Sequence, residues 1–190
     1  MAMPTPRDHW TAADLDHMPE DGLRYEVLNG QLVVNAAPKL GHQWLIQWLV
    51  RALVDVAPKE YVVLEGVGVL IGDDEPIPDL IVATGPMAAN DRGIPVEQVK
   101  LAVEVVSKST TLQDRMVKPV LYAAAGIPNY WRFEINPFKG QLSGESLPVL
   151  FAHVLGTDHT YEPTHRVAAG ETVTLRDPFE FTVDPASLML

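Results

Sequence analysis

Two carboxylates stand inside apolar runs of this chain, Asp79 in Ile77-Pro78-Asp79-Leu80-Ile81-Val82 and Glu104 in Leu101-Ala102-Val103-Glu104-Val105-Val106-Ser107. Continuous β-branched and aliphatic residues are what a strand buried on both faces requires. An acid inside such a run costs several kcal/mol of desolvation, to order of magnitude, unless a positive partner meets it. Two acids in neighbouring strands point to one shared partner, and a divalent metal would satisfy both. With carboxylates, main-chain carbonyls and water as the donors, that ion would be hard, of the Mg²⁺ type. The plainer alternative is structural: Asp79 caps a turn and Glu104 forms a buried ion pair.

The elements that must hold these acids are legible from the N-terminus onward. Met1 to His9 reads as a loose arm, and Thr11 with Asp14 reads as an N-cap opening a short helix to His17. Arg24–Leu28 and Gln31–Val34 flank Asn29-Gly30, a type I′ hairpin signature in which both turn residues take positive φ. From His42 to Ala57 the apolar positions recur with helical period, and Pro58 ends the helix; its tryptophans, Trp44 and Trp48, are read as core. Tyr61 to Ile71 reads as a long strand, with Gly66 and Gly68 marking a bend or bulge. Ala83 to Val99 reads as a loop with a helical turn, and Leu101–Ser107 as the central strand. A helical pattern then runs to Ala125, with Gly126 as its C′ residue. Tyr130–Ile135 is a strand, and 141–190 supplies edge strands and hairpins.

With 190 residues, a 47% hydrophobic share and no cysteine, the chain suits a single domain without disulfides or thiolate zinc sites. The whole chain, 1–190, is read as that domain, with its core over about 11–136. No apolar run approaches the ~20 residues of a membrane helix and no signal-peptide core opens the chain, so the expected location is cytoplasmic. The net charge of −11 argues against broad, nonspecific nucleic-acid binding, although basic residues outnumber acidic ones from Arg92 to Gly140. His153, His159 and His165 are spaced for neither a helix nor a strand face. Gly144-Glu145-Ser146-Leu147-Pro148 lacks the last glycine of a nucleophile elbow.

The succession of helix, hairpin, strand with Asp79, strand with Glu104, helix and strand resembles the PD-(D/E)XK nuclease superfamily, and within it the Uma-two family of restriction-endonuclease-like proteins. The resemblance is carried by Tyr25-Glu26-Val27-Leu28-Asn29-Gly30, Gly41-His42, Pro78-Asp79-Leu80, Val103-Glu104-Val105-Val106-Ser107, Asp114-Arg115 with Lys118 and Tyr122, and Gly126-Ile127-Pro128-Asn129-Tyr130-Trp131. It implies an α/β, restriction-endonuclease-like mixed sheet flanked by helices. It also implies Mg²⁺- or Mn²⁺-dependent hydrolysis of DNA phosphodiester bonds, often by a homodimer. Asp79, Glu104 and the main-chain carbonyl of Val105 would hold the metal, Glu26 would approach from the hairpin, and His42 would stand near the active site.

The sequence departs from the superfamily pattern at the lysine, because Val106 stands two residues after the acid. Lys108 has the right parity but lies about 13 Å further along at ~3.3 Å per residue. The Uma-two resemblance implies that Lys118, on the following helix, supplies the ammonium, sharing a stripe with Asp114 and Tyr122. Pro119 beside it requires a kink or a new turn. Gln31 stands where the family usually shows a second hairpin acid. Val106, Pro119 and the acidic charge also fit a nuclease-fold binding or assembly module without catalysis. A third class, a metal-dependent hydrolase of a small phosphate compound, suits an acidic protein too.

Overall fold

The computed structural model describes residues 7–107 and 111–189. Lys108, most of the expected N-terminal arm and Leu190 lie outside the described residues. Ala12–His17 forms a 3-10 turn behind Thr11, whose backbone N–H and hydroxyl both donate to Asp14 at 2.9 Å. Strands β1 (Arg24–Leu28) and β2 (Gln31–Asn35) make the hairpin, and Asn29 and Gly30 take φ of 52° and 71°, as a type I′ turn demands.

Helix α1 (Leu40–Val56) follows, then β3 (Tyr61–Glu65), β4 (Val69–Leu70), β5 (Leu80–Thr84), β6 (Ile94–Pro95) and β7 (Val99–Val106). Beyond the second acid come a π-helical run over Gln113–Val117, α2 (Lys118–Ala124) and β8 (Asn129–Glu134). The chain closes with β9 (Val149–Leu155), β10 (Tyr161–Ala168), β11 (Val173–Leu175) and β12 (Phe181–Val183).

The main sheet has six strands in the order β10-β9-β8-β7-β5-β3, antiparallel except for the β7–β8 pair. Alternation along its central strands sorts the core into two layers. Leu101, Val103 and Val105 of β7 and Leu80 and Val82 of β5 pack with Leu45, Leu49 and Leu53 of α1. Ala102 of β7 and Ile81 and Ala83 of β5 pack on the opposite side with Tyr122 and Tyr130. Glu104 shares the parity of Ala102 and Asp79 that of Ile81, so both acids belong to the α2 side.

Several expectations are corrected. The strand read over Tyr61–Ile71 is two: β3 pairs with β5, whereas β4 leaves the sheet to run parallel to β6. The break falls at Gly66, at φ 61°. Asp79 precedes its strand rather than lying within it, since Pro76 and Pro78 have no N–H to offer a ladder. The loop after it contains β6 and a 3-10 turn over Val96–Gln98. Trp48 is 36% exposed on the solvent face of α1 beneath Arg51, and Trp44 is only half-buried, so neither is a core residue. In the C-terminal part, β9 is an interior strand, not an edge. The closing turn over Pro185–Leu188 buries Leu188 in the core cluster with α1, which ties that apolar residue to its own chain.

Pro119 is the second residue of α2, directly after a π-helical run whose last bond is donated by the Lys118 N–H to the Gln113 carbonyl. Its missing N–H ends that pattern, and the Asp114 carbonyl accepts from the Tyr130 hydroxyl at 2.6 Å. The π-helical run before it widens the helix, and it carries the buried Asp114.

Candidate active site

The hairpin, the approach to β5, the end of β7 and the start of α2 converge on one charged cluster. Val27 exchanges backbone hydrogen bonds with Glu75, which fixes β1 alongside the Pro76–Pro78 segment. Glu26, fully buried in β1, then accepts from the Ile77 N–H at 2.7 Å and from Asn35 Nδ2 at 3.0 Å. The Lys118 ammonium lies 3.0 Å from Glu26 Oε1 and 3.1 Å from Glu104 Oε1, and donates to the Ile77 carbonyl at 3.1 Å. Tyr122, one turn further along α2, donates its hydroxyl to Glu104 Oε1 at 2.7 Å. Thus Glu26, Glu104, Lys118 and Tyr122 meet in space, as the sequence led one to expect.

Asp79 completes the group from the other side. Its Oδ2 accepts the Val105 N–H at 2.7 Å and faces His42 Nε2 at 3.1 Å. The β5–β7 register ends at Leu80 opposite Val103, and one step further sets Asp79 against Glu104. A strand residue's N–H and C=O project to the same side, so the Val105 carbonyl faces the strand edge where Asp79 lies. Val106 packs as an apolar residue and contributes no charge, and Gln31 is exposed. The three C-terminal histidines stay apart from the cluster: His153 contacts the Tyr130 carbonyl at 3.3 Å, and His165 contacts Thr164.

Glu26, His42, Asp79, Glu104, Asp114 and Lys118 all line an open cleft of about 1500 Å³. That exceeds the usual small-ligand pocket of ~300–1,000 Å³.

The profile of the Uma2 family, described as "Putative restriction endonuclease", matches residues 12–186. The chain belongs to the Uma2 family. Among solved structures, a protein from Anabaena variabilis titled a putative nuclease belonging to DUF820 aligns with a TM-score of 0.66 at 14% identity, covering 95% of this chain and 93% of that one. The likeness establishes a shared fold, a mixed sheet with few helices. A comparison with curated proteins gave no match.

In this Uma2 chain the cluster carries a surplus of acid. Burial pushes Glu104 well above the ordinary carboxyl range; Lys118 opposes the shift, while Asp114, Asp79 and Glu26 add to it. Burial pulls the Lys118 ammonium down, but Glu104, Glu26, Asp114 and Asp79 outweigh it and hold it above 10.5, so Lys118 is charged. For Asp79, burial acts upward and is overcome by His42, Lys118 and the Val105 N–H, leaving it below 3.8. His42 is lowered by burial yet raised more by Asp79. Tyr122 is raised well above 10.0 by burial and by Glu104, which keeps its phenol a donor.

Could such a site hold a cation? Among the described residues no three His, Asp or Glu side chains form a ready cage. Two carboxylates and a main-chain oxygen, with water completing the shell, are nevertheless a donor set that suits Mg²⁺ or Mn²⁺. The residual negative charge around Glu104 favours a cation there. Sequence reasoning passed over Arg24, whose Nη1 lies 3.7 Å from Asp79 Oδ1. Its signal was its place on β1 two residues before Glu26, and hence on the same strand face.

Proposed function

We propose that this protein is a metal-dependent endonuclease that hydrolyses DNA phosphodiester bonds, with Mg²⁺ or Mn²⁺ held by Asp79, Glu104 and the Val105 carbonyl. The observation that carries the reading is the buried Glu26–Lys118–Glu104 arrangement beside Asp79, opening into a cleft large enough for a polymer. When bound, the metal would neutralise charge on the phosphate and lower the pKa of a bound water.

The chain's own residues would do the rest. Glu26 orients the Lys118 ammonium, which stabilises negative charge developing on the phosphate or on the attacking oxygen. Tyr122 braces Glu104 by its hydroxyl, and His42 fixes the rotamer of Asp79. Two cuts in a duplex require two such sites, which a two-fold homodimer working in the cytoplasm would supply.

Plasmid cleavage in Mg²⁺ and in Mn²⁺, comparing wild type with Asp79→Ala, tests the activity. Cleavage by the wild type alone is expected, and equal cleavage by both would defeat the assignment. Metal binding is tested separately by thermal unfolding. Mn²⁺ should raise the wild-type Tm by mass action and leave that of Asp79→Asn unchanged. Cleavage of small phosphate esters with no cleavage of DNA would move the protein to the class of small-molecule hydrolases. A Mn²⁺ increment with no hydrolysis of either would make it a binding module.

A further inference from the structure

We propose that Arg24 is the residue that grips the phosphate presented to the Asp79–Glu104 pair; the assignment rests on the phosphodiesterase reading above. Arg24 is the first residue of β1, and its side chain keeps 36% of its surface at the cleft. Its guanidinium passes over Gly66, where a Cβ would stand 3.1 Å from Nη2, so the glycine leaves the room that this placement uses.

The other arginine lining the cleft is committed elsewhere. Arg92 is bound to Glu75, Asp16 and the Ala12 carbonyl. Arg115 forks onto Glu134, and Arg166 onto Glu145. The Arg24 guanidinium by contrast makes no hydrogen bond among the described residues. Its charged neighbour is Asp79 at 3.7 Å, close enough to attract and too far for a hydrogen bond. A planar fork with its donors unspent, at the mouth of a carboxylate site, matches a phosphate's paired oxygens. The same charge lies against a carboxylate proposed to hold the metal, so Arg24 weakens cation binding while it strengthens phosphate binding. A merely structural arginine would not move the two in opposite directions.

That opposition is the test. Binding of a fluorescently labelled duplex is measured by anisotropy, without divalent metal, across a salt series for wild type, Arg24→Met and Arg24→Lys. Arg24→Met should bind about tenfold more weakly, and its log–log salt slope should shrink by about 0.9, one phosphate contact. Arg24→Lys should recover the slope, since the charge returns, but not the full affinity, since the fork does not. The Mn²⁺ increment in Tm should be larger in Arg24→Met than in wild type, which also certifies that the variant is folded. Unchanged affinity and slope in Arg24→Met, with wild type still cutting DNA, would overturn this inference and leave the nuclease reading intact. Joint loss of DNA binding and of the Mn²⁺ increment would also overturn it, making Arg24 a support for Asp79. A wild type that neither binds nor cuts DNA would remove both readings together.

Discussion

Replacing Lys118 with methionine keeps the length of the side chain and deletes an ammonium that lies 3.0 Å from Glu26 and 3.1 Å from Glu104. Lys118 is only 4% exposed, and both carboxylates are at most 1% exposed, so solvent cannot compensate the loss. Breaking a buried pair from one side costs ~3–5 kcal/mol. At ~2–4 °C per kcal/mol for a chain of this size, the metal-free protein should melt roughly 6–20 °C lower. The ammonium is held above 10.5, so its contribution is fully present at pH 7 and is lost only as pH rises past that value. The measurement is therefore made at pH 7 in the presence of a chelator. Adding Mn²⁺ should then restore more stability to the variant than to wild type, because the cation meets carboxylates with no competing ammonium. A tenfold gain in affinity is worth about 1.4 kcal/mol at saturating metal. DNA cleavage should nonetheless fall by ~10²-fold or more, because metal charge alone does not replace a donor placed for the transition state. An unchanged chelated Tm together with a wild-type rate would refute the argument at both ends.

Tyr122→Phe removes the hydroxyl donated to Glu104 at 2.7 Å, and urea unfolding should show a loss of ~1.5–3 kcal/mol with an unchanged m-value. Burial, aided by Arg132 and opposed by the Tyr130 carbonyl, holds His153 below 6.5. Its neutral ring therefore contributes stability above pH 6.5 that is lost as pH falls through the folded-state value, and His153→Phe should flatten Tm against pH on the acid side of 6.5. Gly93→Ala places a Cβ 2.7 Å from the Gly68 carbonyl oxygen, a backbone atom. Calorimetry should show a cost of ~1–3 kcal/mol from this overpacking beneath the β4–β6 pair.

The sequence made the site's members legible because each broke a local rule: Asp79 and Glu104 are acids within apolar runs, and Asn29-Gly30 is a turn that fixes the face of Glu26. It was far less informative wherever the decision was non-local. Nothing in Val69-Leu70 announces a parallel partner at Ile94-Pro95, and the apolar run from Tyr61 therefore looked continuous. Trp44 and Trp48 fit the helical period as well as Leu45 and Leu49 do, and only the placement of α1 on the sheet decides which side faces solvent. Pro119 signalled a departure from α-helix before Lys118 without indicating its form, a widened π-helical stretch. The burial of Lys118 was equally hidden. A lysine in a helical pattern carries no mark of the hairpin that encloses it here and sets Glu26 against its ammonium.

The hydrogen bonds that enclose Lys118 also set an order of events during synthesis. Glu26 lies 92 residues from Lys118, and Glu104 lies 14 residues from it. A ribosome adding ~5–20 residues each second delivers the hairpin seconds before the lysine that neutralises it. Until then Glu26 and Glu104 have no ammonium to share, and closing the hairpin over them would bury charge without compensation. A nascent or truncated chain ending before residue 118 should therefore hold this region open and in reach of proteases. The cluster assembles only when helix α2 is present to close it, so the contacts of Lys118 with Glu26 and Glu104 are the last to form in this part of the chain.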